Sequence, residues 1–173
     1  IRGHAPILRS LYELHKEKGE YAEAERIIRK VLEIYEALYT ASHAASAVTK
    51  FQLAEILQNQ GRYAEAIPLI QDSLRIYTEQ SQPGSHWETA MTIALSTSYG
   101  QLGEFDKCEQ LLNEMLSKTQ AADPEGAAHC VLLESAAGLY QLFGRTAKAE
   151  PLVHKAFELR SKIYKPNSSE YAD

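Results

Sequence analysis

The chain has 173 residues, of which 45% are hydrophobic and 24% are charged, and its formal net charge is -5. This composition is that of an ordinary folded domain, and no apolar run of about 18 residues predicts a transmembrane helix. No basic cluster is available to neutralise phosphates, which argues against a nucleic-acid partner. The two cysteines, Cys108 and Cys130, lack metal or redox spacing and fit a reducing, cytoplasmic setting.

Helical spacing of apolar residues runs through the whole chain. Apolar residues recur at three- and four-residue steps, and the alternation typical of a strand is absent. Asp123 and Pro124 are predicted to be the N-cap and first residue of the seventh helix, and Ser42 is a candidate cap for the third. The pattern predicts no strands and eight helices, near 5–18, 22–38, 44–60, 64–80, 87–102, 106–120, 124–143 and 147–165.

A short sequence motif that begins with glycine recurs between the two helices of each pair. The glycines Gly19, Gly61, Gly103 and Gly144 lie 42, 42 and 41 residues apart. A period in this range is typical of one supersecondary unit that is copied and stacked, rather than of a single globular core. The sequence therefore predicts an all-α stack of four helix-turn-helix units, which favours a binding scaffold over an enzyme.

Two further positions repeat with the glycine. An aromatic residue follows two places later in the first three units, and a small residue follows five places later in all four. These small residues are Ala24, Ala66, Cys108 and Ala149. A small side chain there lets the two helices approach closely, so Cys108 is predicted to be a small buried hydrophobe rather than a reactive thiol.

We expect one continuous array over residues 1–173. Because the chain starts with Ile1 rather than Met, we interpret it as part of a longer protein. The final helix carries an apolar face with Leu152, Val153, Phe157, Leu159 and Tyr164, which predicts end-to-end association of the chain with itself. The expected units are 5–42, 43–84, 85–122 and 123–166, with 167–173 opening a further unit.

At the turn glycine, the aromatic residue two places on and the alanine five places on, the sequence resembles the tetratricopeptide repeat family. The period near 42, the phrases Ala66-Ile67-Pro68-Leu69 and Ala149-Glu150-Pro151-Leu152, and the linker at 165–172 resemble the kinesin-light-chain subtype. The resemblance implies a right-handed α-α superhelix that binds a protein or peptide on its concave side. The histidines lack metal-ligand spacing, and no phosphate loop or nucleophile elbow occurs. We therefore expect no metal, no cofactor and no catalytic activity.

The resemblance also implies which residues face a partner, because the family uses one face of each unit's first helix. Amide side chains on that face both donate and accept hydrogen bonds, as the backbone of an extended peptide requires. The family's Asn pairs are absent, since Phe51-Gln52 and Ile93-Ala94 occupy two of those places. The candidate partner-binding residues are Phe51, Gln52, Glu55, Gln58, Asn59, Ile93, Thr97, Gln101, Glu134, Ser135 and Gln141.

Three other interpretations remain open at this point. The array is a regulatory sensor that controls an attached signalling or caspase-like peptidase domain, or it is a self-association module. Alternatively, the amide-rich faces are ordinary solvated helix surfaces. The preferred hypothesis is a passive scaffold with a protein or peptide partner, without nucleic acid or membrane as partners.

Overall fold

The structure is a computed structural model that describes residues 4–39, 43–80 and 86–163. Within these ranges the chain forms helices and turns only, so the predicted all-α fold is confirmed there. Apart from the start of α7, the predicted bounds agree with the observed ones to within two residues. The helices are α1 (His4–Glu17), α2 (Tyr21–Leu38), α3 (Ala44–Asn59), α4 (Tyr63–Gln80), α5 (His86–Gln101), α6 (Phe105–Ala122), α7 (Ala127–Leu142) and α8 (Thr146–Ile163).

The four turn glycines end the first helix of each unit in the same way. Gly19, Gly61, Gly103 and Gly144 have positive φ angles of 73°, 76°, 80° and 71°. In the second unit, the amide of Gly61 donates to the Gln58 carbonyl (2.9 Å), and the next amide donates to the Leu57 carbonyl (2.8 Å). This left-handed closure satisfies the last carbonyls of the helix, and glycine adopts it without the steric cost that a Cβ brings.

The start of α7 corrects one prediction. Asp123 is the C-cap of α6, with its amide bonded to the Thr119 carbonyl at 2.9 Å, and Gly126 is the N-cap of α7. The Asp123 carboxylate accepts from the Glu125 amide at 3.3 Å, which shapes the connecting turn. Because α6 runs two residues beyond its predicted end, Asp123 closes α6 instead of opening α7. Ser42, the other predicted cap, lies outside the described residues, and His43 caps α3 by accepting from the Ala45 amide.

The helices pack in single file. Each second helix packs on the first helix of its own unit, and α2, α4 and α6 also pack on the first helix of the next unit. Successive first helices also touch, α3 with α5 and α5 with α7, whereas the described parts of successive second helices make at most marginal contact. The shorter separation on the first-helix side makes that side concave, as expected of stacked helix pairs.

The small residues five places after each glycine lie in the contact between the two helices of a unit. Ala24, Ala66, Cys108 and Ala149 are all buried in a core that runs through the stack. Burial raises the pKa of the Cys108 thiol above its ordinary value. The prediction that Cys108 is a small buried hydrophobe is therefore confirmed.

Candidate partner-binding surface

The first helices α3, α5 and α7 form the concave side, and polar side chains join them. The Gln58 amide on α3 donates to the Ala94 carbonyl (2.6 Å) and to the Ser98 hydroxyl (2.7 Å), both on α5. On the preceding helices, Lys16 Nζ lies 3.6 Å from the Glu55 carboxylate. These contacts fix the spacing of neighbouring first helices, because each one spans two units.

Phe51 does not lie on the open part of this surface. It is 4% exposed, and the Trp87 ring packs edge-on against it with centroids 6.3 Å apart. Trp87 belongs to α5, so the next unit covers Phe51 and makes it a core residue. Phe51 therefore offers little surface to a partner, and its place among the candidate partner-binding residues stays a prediction.

Several predicted polar contacts are already engaged within the chain. Gln58 bridges α3 and α5, and the Thr97 hydroxyl donates to the Ile93 carbonyl in its own helix at 2.8 Å. The Glu134 carboxylate lies 2.8 Å from Nε of Arg160 on α8. Hydrogen-bonding capacity that is spent inside the protein is less available to a partner, so these residues are weaker candidates than the sequence predicts.

Four amides remain on the concave side, and we call Gln52, Asn59, Gln101 and Gln141 the amide row. Asn59, Gln101 and Gln141 are exposed, and Gln52 is half-buried. The Gln52 oxygen Oε1 is buried and accepts no hydrogen bond in the structure. The amide row follows three successive first helices, so it can supply hydrogen bonds along the length of an extended segment.

Open space and apolar surface lie beside the amide row. A Cβ placed on Gly138 would meet no atom within 4 Å. Val131 and Leu142 on α7 are exposed, while Ile93 and Ser135 are half-buried. The predicted set left out Val131 and Leu142. Leu142 is apolar in the place where α3 and α5 carry Asn59 and Gln101, and Val131 lies in the place of Val48 and Ala90.

The comparisons with known proteins agree with this architecture. The model of the tetratricopeptide repeat matches residues 5–79 and 46–121, which together span more than half of the chain. The chain belongs to the tetratricopeptide repeat family. Such repeats generally mediate protein–protein interaction. No curated protein matches the chain.

Solved structures show the same fold at low sequence identity. BtubC (BKLC) from P. vanneervenii is 19% identical with a TM-score of 0.77, over 98% of this chain and 68% of that one. MamA is 19% identical with a TM-score of 0.64, over 94% and 81% of the two chains. Putative kinesin light chain TPR-like repeats from Podosopora anserina are 18% identical with a TM-score of 0.56, over 94% and 99%. The predicted α-α superhelix is thereby confirmed.

Cys130 and His129 on α7 are buried in the core of this tetratricopeptide array. Burial raises the pKa of the Cys130 thiol and lowers the pKa of His129, which hydrogen-bonds Thr119 through Nδ1 at 2.8 Å. A thiol with a raised pKa is a poor nucleophile, since the thiolate is the reactive form. Among the described helices, none has the length and apolarity needed to cross a bilayer.

Proposed function

We propose that this tetratricopeptide array is a non-catalytic scaffold that holds an extended segment of a partner protein along α3, α5 and α7. The amide row is the observation that carries the proposal. An extended backbone presents N–H and C=O groups in alternation, and each amide side chain can pair with either. Three of the four amides are exposed, so the segment needs no opening of the fold to reach them.

The same surface supports binding by shape and apolar contact. Ile93, Val131 and Leu142 offer apolar area next to the amide row, and Gly138 leaves room for close approach of a backbone. Because helices packed on a continuous core form the surface, little side-chain or loop ordering opposes binding.

The test uses a random dodecapeptide library displayed on phage and panned against the immobilised chain. A selected peptide is synthesised with a fluorophore, and its Kd is measured by fluorescence anisotropy. The triple variant Asn59→Ala, Gln101→Ala and Gln141→Ala is expected to weaken binding by at least about tenfold, equivalent to about 1.4 kcal/mol. Its melting temperature should match the parent, because all three side chains are exposed.

The matched control is the pair Gln110→Ala and Asn113→Ala, which removes two exposed amides from the second helix α6. This variant should bind the peptide with unchanged affinity. Equal losses in both variants, or a library that yields no binder, would count against the concave side as the binding surface.

A further inference from the structure

An open cavity of about 280 Å³ lies on the second-helix side of the array, at the joint between units two and three. It is bounded by α4 and α6, which both pack on α5. Its described wall includes the apolar residues Leu74, Leu111 and Met115 and the carboxylates of Glu88 and Glu114. We call it the outer cavity. Apolar walls with a few placed charges are typical of a ligand site.

In the preceding joint, a lysine fills the corresponding place. Lys50 lies eleven residues before Gly61, and its side chain is 11% exposed. Its ammonium lies 2.5 Å from the Asp72 carboxylate on α4 and 3.4 Å from the Glu36 carboxylate on α2. The lysine side chain therefore occupies the space between two successive second helices, and carboxylates on both helices neutralise it.

The next joint keeps an acidic residue and lacks the lysine. Thr92, which lies eleven residues before Gly103, takes the place of the lysine and has a shorter side chain. Glu114, eleven residues after Gly103, takes the place of Asp72. Its carboxylate accepts from Gln110 at 2.8 Å, and among the described residues no cation pairs with it. The outer cavity is therefore the space of a lysine side chain, with the counter-ion of that lysine still in its wall.

The joint between units three and four fills the same place with an apolar residue. Leu133 takes the position of Lys50 and Thr92, and it is 1% exposed. A buried leucine needs no counter-ion, and the acidic position is there held by Lys155, which donates to Gln120 on α6 at 3.2 Å. An acidic residue thus accompanies the lysine and the cavity, and it is absent where leucine fills the space.

The cations in the wall of the outer cavity are already neutralised. Lys118 Nζ lies 3.3 Å from the buried carboxylate of Glu88. Arg75 pairs with two acidic residues of its own helix, at 2.6 Å and 3.1 Å. These pairs leave the negative charge of Glu114 unbalanced, so the outer cavity attracts a cation rather than an anion.

We propose that the outer cavity binds a primary ammonium group on an alkyl chain, the group that Lys50 supplies one joint earlier. The ammonium lies against the Glu114 carboxylate, and the Thr78 hydroxyl is a second acceptor. The alkyl chain lies along Leu111 and Met115, and the flexible methionine adapts to its shape. The ammonium belongs either to a free alkylamine or to a lysine of a partner protein.

The test uses n-butylamine, because it reproduces the lysine side chain from Cβ to Nζ. The chain contains two methionines, Met91 and Met115, so methyl-labelled methionine gives an NMR spectrum of two peaks. Titration should shift the Met115 peak saturably, with a Kd on the order of millimolar for so small a ligand. n-Butanol has the same chain without the charge and should bind at least about threefold more weakly. No saturable shift with the amine, or equal affinity for the alcohol, overturns the proposal.

Two variants test the assigned groups. Glu114→Gln should weaken n-butylamine binding about threefold to fivefold, because it removes the charge and keeps the size of an exposed side chain. Its matched control is Asp106→Asn, which neutralises an exposed carboxylate of α6 outside the cavity wall and should leave the Kd unchanged.

Thr92→Lys should abolish n-butylamine binding, because the new side chain fills the outer cavity as Lys50 fills its own place. A Thr92→Lys variant with the circular dichroism of the parent and an unchanged Kd contradicts the proposal. If this variant does not fold, Glu114→Gln decides, and an unchanged Kd in that variant refutes the assignment.

Two peptides identify the source of the ammonium. One carries a single lysine between glycines, and the other carries the same lysine acetylated on Nζ. Binding of the lysine peptide at least as tight as that of n-butylamine supports the proposal and assigns a partner protein's lysine. Binding of n-butylamine alone supports it with a free alkylamine as ligand, whereas equal binding of the acetylated peptide contradicts it. The outer cavity lies on the side opposite the amide row, so these outcomes are independent of the peptide-binding proposal.

Discussion

Gly100 and Gly138 are helical glycines for which the structure predicts opposite effects of a methyl group. Within a helix, alanine is favoured over glycine by about 0.8–1.0 kcal/mol. A Cβ at Gly138 meets no atom within 4 Å, so Gly138→Ala should raise the free energy of unfolding by up to about 1 kcal/mol. No packing cost offsets that gain.

A Cβ at Gly100 would lie 2.1 Å from both Cε2 and Cζ of Phe143. The Phe143 ring must move, and it packs against Phe105 with centroids 5.4 Å apart at the joint between units three and four. Overpacking of this kind costs about 1–3 kcal/mol, and the gain in helix propensity is small near the end of α5. We expect Gly100→Ala to lower the free energy of unfolding by about 1–2 kcal/mol.

Urea denaturation followed by circular dichroism measures both variants, whose free energies of unfolding should differ by about 1–3 kcal/mol. Adding Gly100→Ala to a Phe143→Leu background provides the control, because the smaller side chain leaves room for the methyl group. In that background Gly100→Ala should change the free energy of unfolding only slightly. If Gly100→Ala is as stable as the parent in the presence of Phe143, then Phe143 does not constrain the approach of α7 to α5, and the reasoning is refuted.

Three other outcomes follow from buried groups. Gln58→Ala should lower the free energy of unfolding by about 1–2 kcal/mol through two lost hydrogen bonds, whereas the exposed Gln101→Ala should not, as thermal melts of both would reveal. Burial lowers the pKa of His129 from 6.5, so the unfolded state takes up a proton first as pH falls. Stability should be full above about pH 6.5 and decline below it, and His129→Leu should flatten that dependence of the melting temperature on pH; identical profiles would contradict this. Since burial raises the pKa of the Cys108 thiol, native protein should react with an aromatic disulfide reagent far more slowly than urea-unfolded protein, and equal rates would contradict its packing.

Most of the fold could be predicted because its determinants are local and repeated. A glycine in the left-handed region and a small residue five places later mark each unit, and neither depends on distant parts of the chain. The start of α7 could not be predicted, because Asp123 followed by proline suits the end of one helix as well as the start of the next. The outcome depended on how far α6 extends.

The candidate surface was less predictable because neighbouring units decide which of its residues are available. Phe51 has the helix phase of a groove residue, but Trp87 from the next unit covers it. Gln58 has the chemistry of a peptide-binding amide, but a backbone carbonyl and a hydroxyl of α5 occupy it. Repeat position identifies the face of a helix, whereas exposure depends on side chains that lie some forty residues away.

The contact between successive first helices, and its near absence between successive second helices, has a mechanical consequence. Because the first helices touch, a small rotation of one unit against the next about this contact produces a larger change in the separation between α2, α4, α6 and α8. A bound segment that contacts both α3 and α5 would hold the superhelix at one pitch. Binding of such a segment would therefore also set the distances between successive second helices on the opposite side of the array.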